Sequence, residues 1–156
     1  MGVISGIAPT IPIKYQEGNG FEMSRTIDEA IYQDFICLLQ SAGKIYDEEF
    51  GADLKQFLFE NVEQVDYGLI TSIINEQVRK YLDNYLSVLS IKYVTSEKDP
   101  NVDPRALVIQ ISAKSKVTGA AIPVSVTLDA AKGLVSVGSY GNTFHGNSNN
   151  YNLTDR

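Results

Sequence analysis

Apolar residues recur at helical spacing in two stretches of the first half of the chain. The first stretch follows Thr26-Ile27-Asp28-Glu29, which has the form of a capping box. The apolar positions then lie four, four, three and four residues apart, at Ile27, Ile31, Phe35, Leu38 and Ala42. This spacing predicts an amphipathic helix that ends at Gly43.

The second helical stretch begins at Leu69 or Ile70. Charged residues lie off its apolar face, and Gln77 interrupts that face. We interpret both apolar stripes as surfaces that pack on a core. The apolar face of the second stretch consists of Ile70, Ile73, Ile74, Val78, Tyr81 and Leu82.

From Tyr85 onward the apolar period changes to two, which is typical of half-buried strands. The alternation predicts three strands, around 89–93, 107–112 and 122–128, with Leu89 among the inward residues. Thr118-Gly119 suits a hairpin turn, and 133–137 is a candidate for a short fourth strand. Pro123 lacks a backbone N–H, which favours an edge position or a bulge for the third strand.

This order of elements predicts an α+β fold. Two main helices and a short motif helix are expected on one face of a three- to four-stranded antiparallel sheet. The length of 156 residues, 44% of them hydrophobic, suits a single domain, which we place at 24–137. Residues 1–23 are predicted to form an extended arm, and the Gly-, Asn- and Ser-rich residues 138–156 a flexible tail.

The segment between the two helices, 49–61, belongs to neither helical pattern. Gly51 permits a positive φ and hence a sharp turn. Asp53 is expected to cap a short helix, with Gln56 reaching back as in a capping box. One side of that helix is apolar through Leu54, Phe57 and Leu58, and Phe50 and Phe59 are expected to be buried and to dock it on the core.

Charge excludes one class of partner and concentrates in this region. The net charge is −6, and no cluster of Lys and Arg appears, so nucleic acid is a poor candidate partner. Only Lys55 offsets the acidic residues of the region, which are Asp47, Glu48, Glu49, Asp53, Glu60, Glu63 and Asp66.

Candidate chemistry is sparse. Cys37 is the only cysteine, which excludes an internal disulfide, and we expect it to be a small buried residue at the margin of the first helix. The only histidine, His145, lies in the predicted tail. Residues 99–103 imitate the start of a calcium loop, but Pro104 stands where that loop needs Gly, so a turn is the better interpretation. No cofactor or metal is expected.

A glycosidase is the enzymatic alternative for the acidic segment. Such an enzyme needs one carboxylic acid of raised pKa facing a second carboxylate. Glu49 with Asp53, or Glu49 with Glu60, are candidate pairs. Acids at turns and helix starts are common for structural reasons, so we expect no catalytic residues here.

The pattern Glu-Phe-Gly-x-Asp-Leu, followed after three residues by Leu-Phe-Glu-Asn, resembles the baseplate wedge family of contractile-tailed bacteriophages. That family has relatives in type VI secretion baseplates and members described as tail lysozymes. One departure is Leu82-Asp83-Asn84, which stands where the family carries Glu-Pro-Arg. The matching residues are Glu49, Phe50, Gly51, Asp53, Leu54, Leu58, Phe59, Glu60 and Asn61.

The resemblance implies a structural part of the virion tail, assembled in the host cytoplasm, that joins other wedge proteins to the first ring of tail sheath subunits. It implies a monomer in isolation and several copies per baseplate. Nucleic acid is not expected as a partner because of the charge, and a membrane is not expected because residues 1–23 hold no apolar run long enough to span a bilayer. The resemblance also implies that a sheath arm adds a strand to the sheet edge, which we expect at Val126, Thr127 and Leu128, or at 133–137 if that strand forms the edge. The alternatives are a peptidoglycan-cleaving tail lysozyme and an acidic adaptor module unconnected with tails.

Overall fold

A computed structural model describes residues 15–16, 20–21, 26–41, 44–45, 48–60 and 64–139. Of the predicted arm 1–23 and tail 138–156, the structure describes only residues 15–16, 20–21 and 138–139. Asn61 and His145 also lie outside the described residues. The elements are β1 (Tyr15–Gln16), β2 (Gly20–Phe21), α1 (Ile27–Gln40), β3 (Lys44–Ile45), β4 (Glu48–Glu49), a 3-10 helix (Leu54–Phe57), α2 (Tyr67–Tyr81), β5 (Leu86–Val94), β6 (Ala106–Ser115), β7 (Ala121–Asp129) and β8 (Leu134–Gly138).

The predicted α+β architecture is confirmed. The strands β5, β6, β7 and β8 form one antiparallel sheet in chain order, and β1 with β2 and β3 with β4 form two short pairs. Within the sheet, α1 and the 3-10 helix contact β7 and β8, whereas α2 contacts β5. The helices therefore cover one face of the sheet, and the core lies between the two layers.

The alternation along the strands separates the two faces of the sheet. Ile109, Ile111 and Val124 point toward the helices and are fully buried, together with Phe35 of α1 and Ile74 of α2. The opposite face carries mainly small and polar residues, most of them half-buried or exposed, and Ser125 is the buried polar residue there. Period-two patterning thus identified the core face correctly in β6 and β7.

Each of the two main helices begins directly after the residue that caps it. Thr26 Oγ1 accepts a hydrogen bond from Glu29 N at 3.2 Å, as the capping box predicts for the hydroxyl. Asp66 Oδ1 accepts one from Leu69 N at 3.0 Å, and α2 therefore begins at Tyr67, earlier than the apolar pattern suggested. The apolar stripe locates a helix, whereas the capping side chain fixes its first residue.

The first helix differs from prediction at two points. It ends at Gln40 instead of Gly43, with Ser41 N donating to Cys37 O at 3.0 Å. Cys37 is exposed, so the expectation that it would be buried is wrong. Its neighbours Ile36 and Leu38 fill the face toward the core, which turns Cys37 outward.

The predicted edge at Val126, Thr127 and Leu128 is wrong. These residues belong to β7, which pairs with β6 on one side and with β8 on the other. The short segment 134–138 makes the difference, because Gly133, at a φ of 63°, turns the chain back onto β7. The expectation of an edge position or a bulge for the strand of Pro123 is wrong, since β7 is an inner strand with regular pairing, and Pro123 lies in the part of it that β8 does not reach.

In β5 the simple alternation fails at Leu89. The pairing with β6 shifts between Val88 and Ser90, which is a β-bulge. Leu89 is the extra residue and is 64% exposed, so the prediction that it points inward is wrong. A bulge changes the phase of a strand and is invisible to a strict period-two pattern.

The calcium-like segment forms turns. Asp99 Oδ1 accepts a hydrogen bond from Asn101 N at 3.0 Å, and Asp103 Oδ1 accepts one from Arg105 N at 2.8 Å. Within the ranges given above there is no group of three or more side chains that could hold a metal ion. None of the helices in those ranges is long and apolar enough to span a bilayer.

Candidate functional site

The motif segment caps the end of α1 from outside the helix. The last carbonyl groups of a helix have no partner within it. Ala52 N donates to Leu38 O at 2.9 Å, and Asp53 N donates to Ser41 O at 3.1 Å. The turn after Phe50 therefore supplies the C-terminal cap that α1 lacks in its own sequence.

Gly51 is required at this turn for two separate reasons. Its φ is 99°, as predicted, a conformation that side chains disfavour. A Cβ at this position would also lie 2.0 Å from Ser41 O, which is far inside contact distance. The motif glycine is thus explained both by backbone conformation and by its approach to the end of α1.

Gln77 connects the same turn to the second helix. Its side-chain oxygen Oε1 accepts a hydrogen bond from Gly51 N at 3.0 Å. Sequence reasoning registered Gln77 only as an interruption of an apolar stripe. A single amide at a position that faces the core is the signal that could have identified this contact, since a buried amide needs a partner.

The apolar side of the motif packs as predicted. Leu54, Phe57 and Leu58 are 1%, 4% and 2% exposed and belong to the core. Phe50, which was expected to be buried, is only half-buried, and it meets Tyr81 of α2 edge to face, with ring centroids 4.9 Å apart. These contacts fix the 3-10 helix on the core beside β7 and β8, and the turn before it on α2.

Asp53 does not form the predicted capping box. Its φ is 45°, in the left-handed region, and its side chain accepts no capping hydrogen bond. Gln56 N donates instead to the backbone carbonyl of Asp53 at 3.2 Å. The N–H of Gln56, to which a capping carboxylate would bind, therefore donates within the 3-10 turn instead.

Phe59 is 78% exposed, so the prediction that it is buried is wrong. Phe57 and Leu58 already fill the inward side of this short helix, and the next side chain points to solvent. Glu60 is also exposed, and its N–H donates to Phe57 O at 3.2 Å. The side chains of Glu49 and Asn61, which complete the motif, lie outside the described residues.

The remaining acids of the region do not create an apolar pocket for a carboxylic acid. Asp53, Glu60 and Asp66 are exposed, and the carboxylate of Asp66 caps α2. Burial raises the pKa of the Asp34 carboxyl on α1, but Asp34 belongs to neither candidate pair. The described members of those pairs therefore lack the environment that a glycosidase acid needs.

The segment that departs from the family pattern is used within this molecule. Leu82 is buried, and the ammonium group of Lys116 in the β6–β7 turn binds the backbone carbonyl of Asp83. The same ammonium group lies 3.3 Å from Asp83 Oδ1. The end of α2 is thereby joined to the β6–β7 turn.

The two edges of the sheet differ in how they are guarded. Natural edge strands are commonly protected by bulges, prolines or charged residues. β5 carries the bulge at Leu89 and the exposed Lys92. β8 has neither a charged residue nor a proline, its pairing with β7 is regular, and Leu134 at its start is 48% exposed.

No protein-family model matches the chain, and no curated protein matches it. The family suggested by residues 49–61 accordingly stays a prediction.

Proposed function

We propose that this protein is a structural component of a contractile-tail baseplate wedge, in which it joins other wedge proteins to the first ring of sheath subunits. It is assembled in the host cytoplasm and becomes part of the virion. The resemblance of residues 49–61 to the wedge family supports this role. Its function is assembly, without catalysis, cofactor or metal.

The observation that carries the proposal is the unguarded edge of β8. In the described part of the chain, β8 pairs only with β7, which leaves the N–H and C=O groups of its other side available to an incoming strand. An extended arm of a sheath subunit can bind there by adding a fifth strand. Main-chain hydrogen bonds would supply most of the affinity, so backbone chemistry offers the sharpest test.

Two neighbouring proline substitutions, Val135→Pro and Ser136→Pro, separate the two sides of β8. Adjacent residues of a strand direct their N–H groups to opposite sides, so one proline removes a donor from the pairing with β7 and the other removes one from the free edge. We expect the variant that retains the wild-type circular dichroism melt to be the one that blocks addition of the sheath. Electron microscopy of tails assembled with each variant measures that addition.

Val135→Thr and Ser136→Thr are the matched controls, since they change the side chain and keep the N–H. Both should assemble sheathed tails. Normal sheathed tails from a stably folded proline variant at the free edge would contradict strand addition at β8.

The enzymatic alternative has a direct test. Asp53 and Glu60 are exposed, so neither lies in the apolar pocket that a glycosidase acid needs. We expect the purified protein to leave a suspension of cell walls turbid. Clearing that disappears in Glu49→Gln or Glu60→Gln, with the melting temperature unchanged, would replace the assembly role with peptidoglycan cleavage.

A further inference from the structure

Two exposed surfaces of this molecule combine large apolar side chains with charges of opposite sign. The first, which we name the acidic turn, consists of Asp53, Phe59 and Glu60. Phe59 is 78% exposed, the highest value among the large apolar side chains of the described residues. The backbone around it is held by the 3-10 turns, including the bond from Glu60 N to Phe57 O at 3.2 Å, so the position of Phe59 on the surface is defined.

The second surface, which we name the sheet corner, lies where β5 begins beside the β6–β7 turn. Tyr85, Leu89 and Val117 are 46%, 64% and 56% exposed there. Lys116 N donates to Tyr85 O at 2.8 Å, which brings the turn and the start of β5 together. Three of the large exposed apolar side chains thus share one corner of the sheet.

Cations flank the sheet corner. Lys114 pairs across the strands with Ser87, between Tyr85 and Leu89 along β5, and Lys92 follows Leu89 on the same strand. Both lysines are exposed, and neither forms an ion pair with a described residue. In the adjoining β6–β7 turn, Lys116 is paired with Asp83 and Thr118 donates a hydrogen bond to Asp28, so the unpaired positive charge of the corner lies at Lys92 and Lys114.

The charge of the whole chain is divided in the same way. Residues 1–83 contain 14 acidic and 6 basic residues, a net charge of −8, whereas residues 84–156 contain 5 acidic and 7 basic residues, a net charge of +2. Together they give the −6 of the chain. The segment with the acidic turn is anionic, and the segment with the sheet corner is slightly cationic.

We propose that the acidic turn of one copy docks on the sheet corner of a second copy. Phe59 would lie beside Tyr85 and Val117, with Leu89 further along β5 and with Asp53 and Glu60 facing the lysines. Apolar and charge complementarity thus point to the same pairing.

Such a contact joins different surfaces of two identical molecules. It is therefore heterologous and builds a ring if the rotation closes, or an open chain if it does not. The net charge of each copy opposes association at long range, but at about 0.1 M salt the Debye length is about 10 Å and most of that repulsion is screened. The inference is independent of any role in a tail.

Sedimentation equilibrium from about 1 µM to about 1 mM tests the contact. We expect wild-type protein to associate beyond the monomer, and Phe59→Ala to weaken the association constant about tenfold or more, since an exposed aromatic anchor dominates a contact of this kind. Leu69→Ala, which removes another exposed apolar side chain, on α2, is the control and should associate like wild type. Circular dichroism verifies that both variants are folded.

A charge exchange identifies the two surfaces. Asp53→Lys with Glu60→Lys reverses the acidic turn, and Lys92→Glu with Lys114→Glu reverses the sheet corner. Each double variant alone should be monomeric, whereas an equimolar mixture should associate, because every contact between unlike copies again joins opposite charges. A fluorophore on Cys37, exposed on α1, reports the mixing by anisotropy. Wild-type protein that stays monomeric throughout, or a mixture that does not associate, would overturn the proposal.

Discussion

Gly51 combines a φ of 99° with a carbonyl oxygen, that of Ser41, only 2.0 Å from the place where a Cβ would stand. Gly133 isolates the first of these constraints, since its φ is 63° but nothing lies within 4 Å of the place where its Cβ would stand. We expect Gly133→Ala to lower the free energy of unfolding by about 1 kcal/mol, the cost of left-handed backbone alone. Gly51→Ala should cost about 2–5 kcal/mol, because strain and overlap with backbone add.

Urea denaturation of both variants measures the difference. The comparison matters because both glycines have positive φ, yet only Gly51 approaches another element. Equal losses at the two positions would show that the close approach to α1 contributes nothing to stability.

Predictions for single residues are confirmed where a local backbone requirement, such as a positive φ or a helix N-cap, favours one residue type. Gly51 at positive φ and the hydroxyl cap at Thr26 were foreseen for that reason. Phe59 could not be placed, because its direction depends on whether Phe57 and Leu58 already satisfy the core. Sequence order alone does not give the phase of a four-residue helix.

At the scale of elements, Gln77 is the link between α2 and the turn that caps α1. Gln77→Leu keeps the size of the side chain but leaves Gly51 N without its acceptor in a partly buried position. We expect a loss of about 1–2 kcal/mol in the free energy of unfolding. Gln77→Glu retains an oxygen acceptor and should lose less, and thermal melts of the two variants give the comparison. A Gln77→Leu variant as stable as wild type would show that this hydrogen bond contributes nothing to stability.

The elements themselves were largely predictable, since long periodic segments such as α2 and β6 carry their own signal. Two features of the sheet were not. The bulge at Leu89 arises from the pairing of β5 with β6. The edge strand is β8 instead of β7, because the five residues of β8 add a further strand to the sheet. Both depend on contacts between strands, which a single strand does not encode.

At the scale of the whole molecule, one layer of helices covers one face of an open sheet, and the motif turn ties both helices together. The helices and the motif turn thus stabilise one face of the sheet. β8, in contrast, remains an edge strand without a bulge, a proline or a charged residue. The fold explains why Phe50, Gly51, Leu54 and Leu58 of the motif are needed inside this chain. It also leaves Phe59 and Glu60, which are exposed, for contacts outside it.

Hydrogen exchange at the β8 amides is a direct test of strand addition at the free edge of the sheet. In the isolated protein, the β8 amides that face β7 should be protected, and those on the free edge should exchange quickly. In sheathed tails, the amides of 134–138 on the free edge should become protected, because a sheath strand now pairs with them. Exchange at those amides that is equally fast with and without sheath would contradict strand addition at β8.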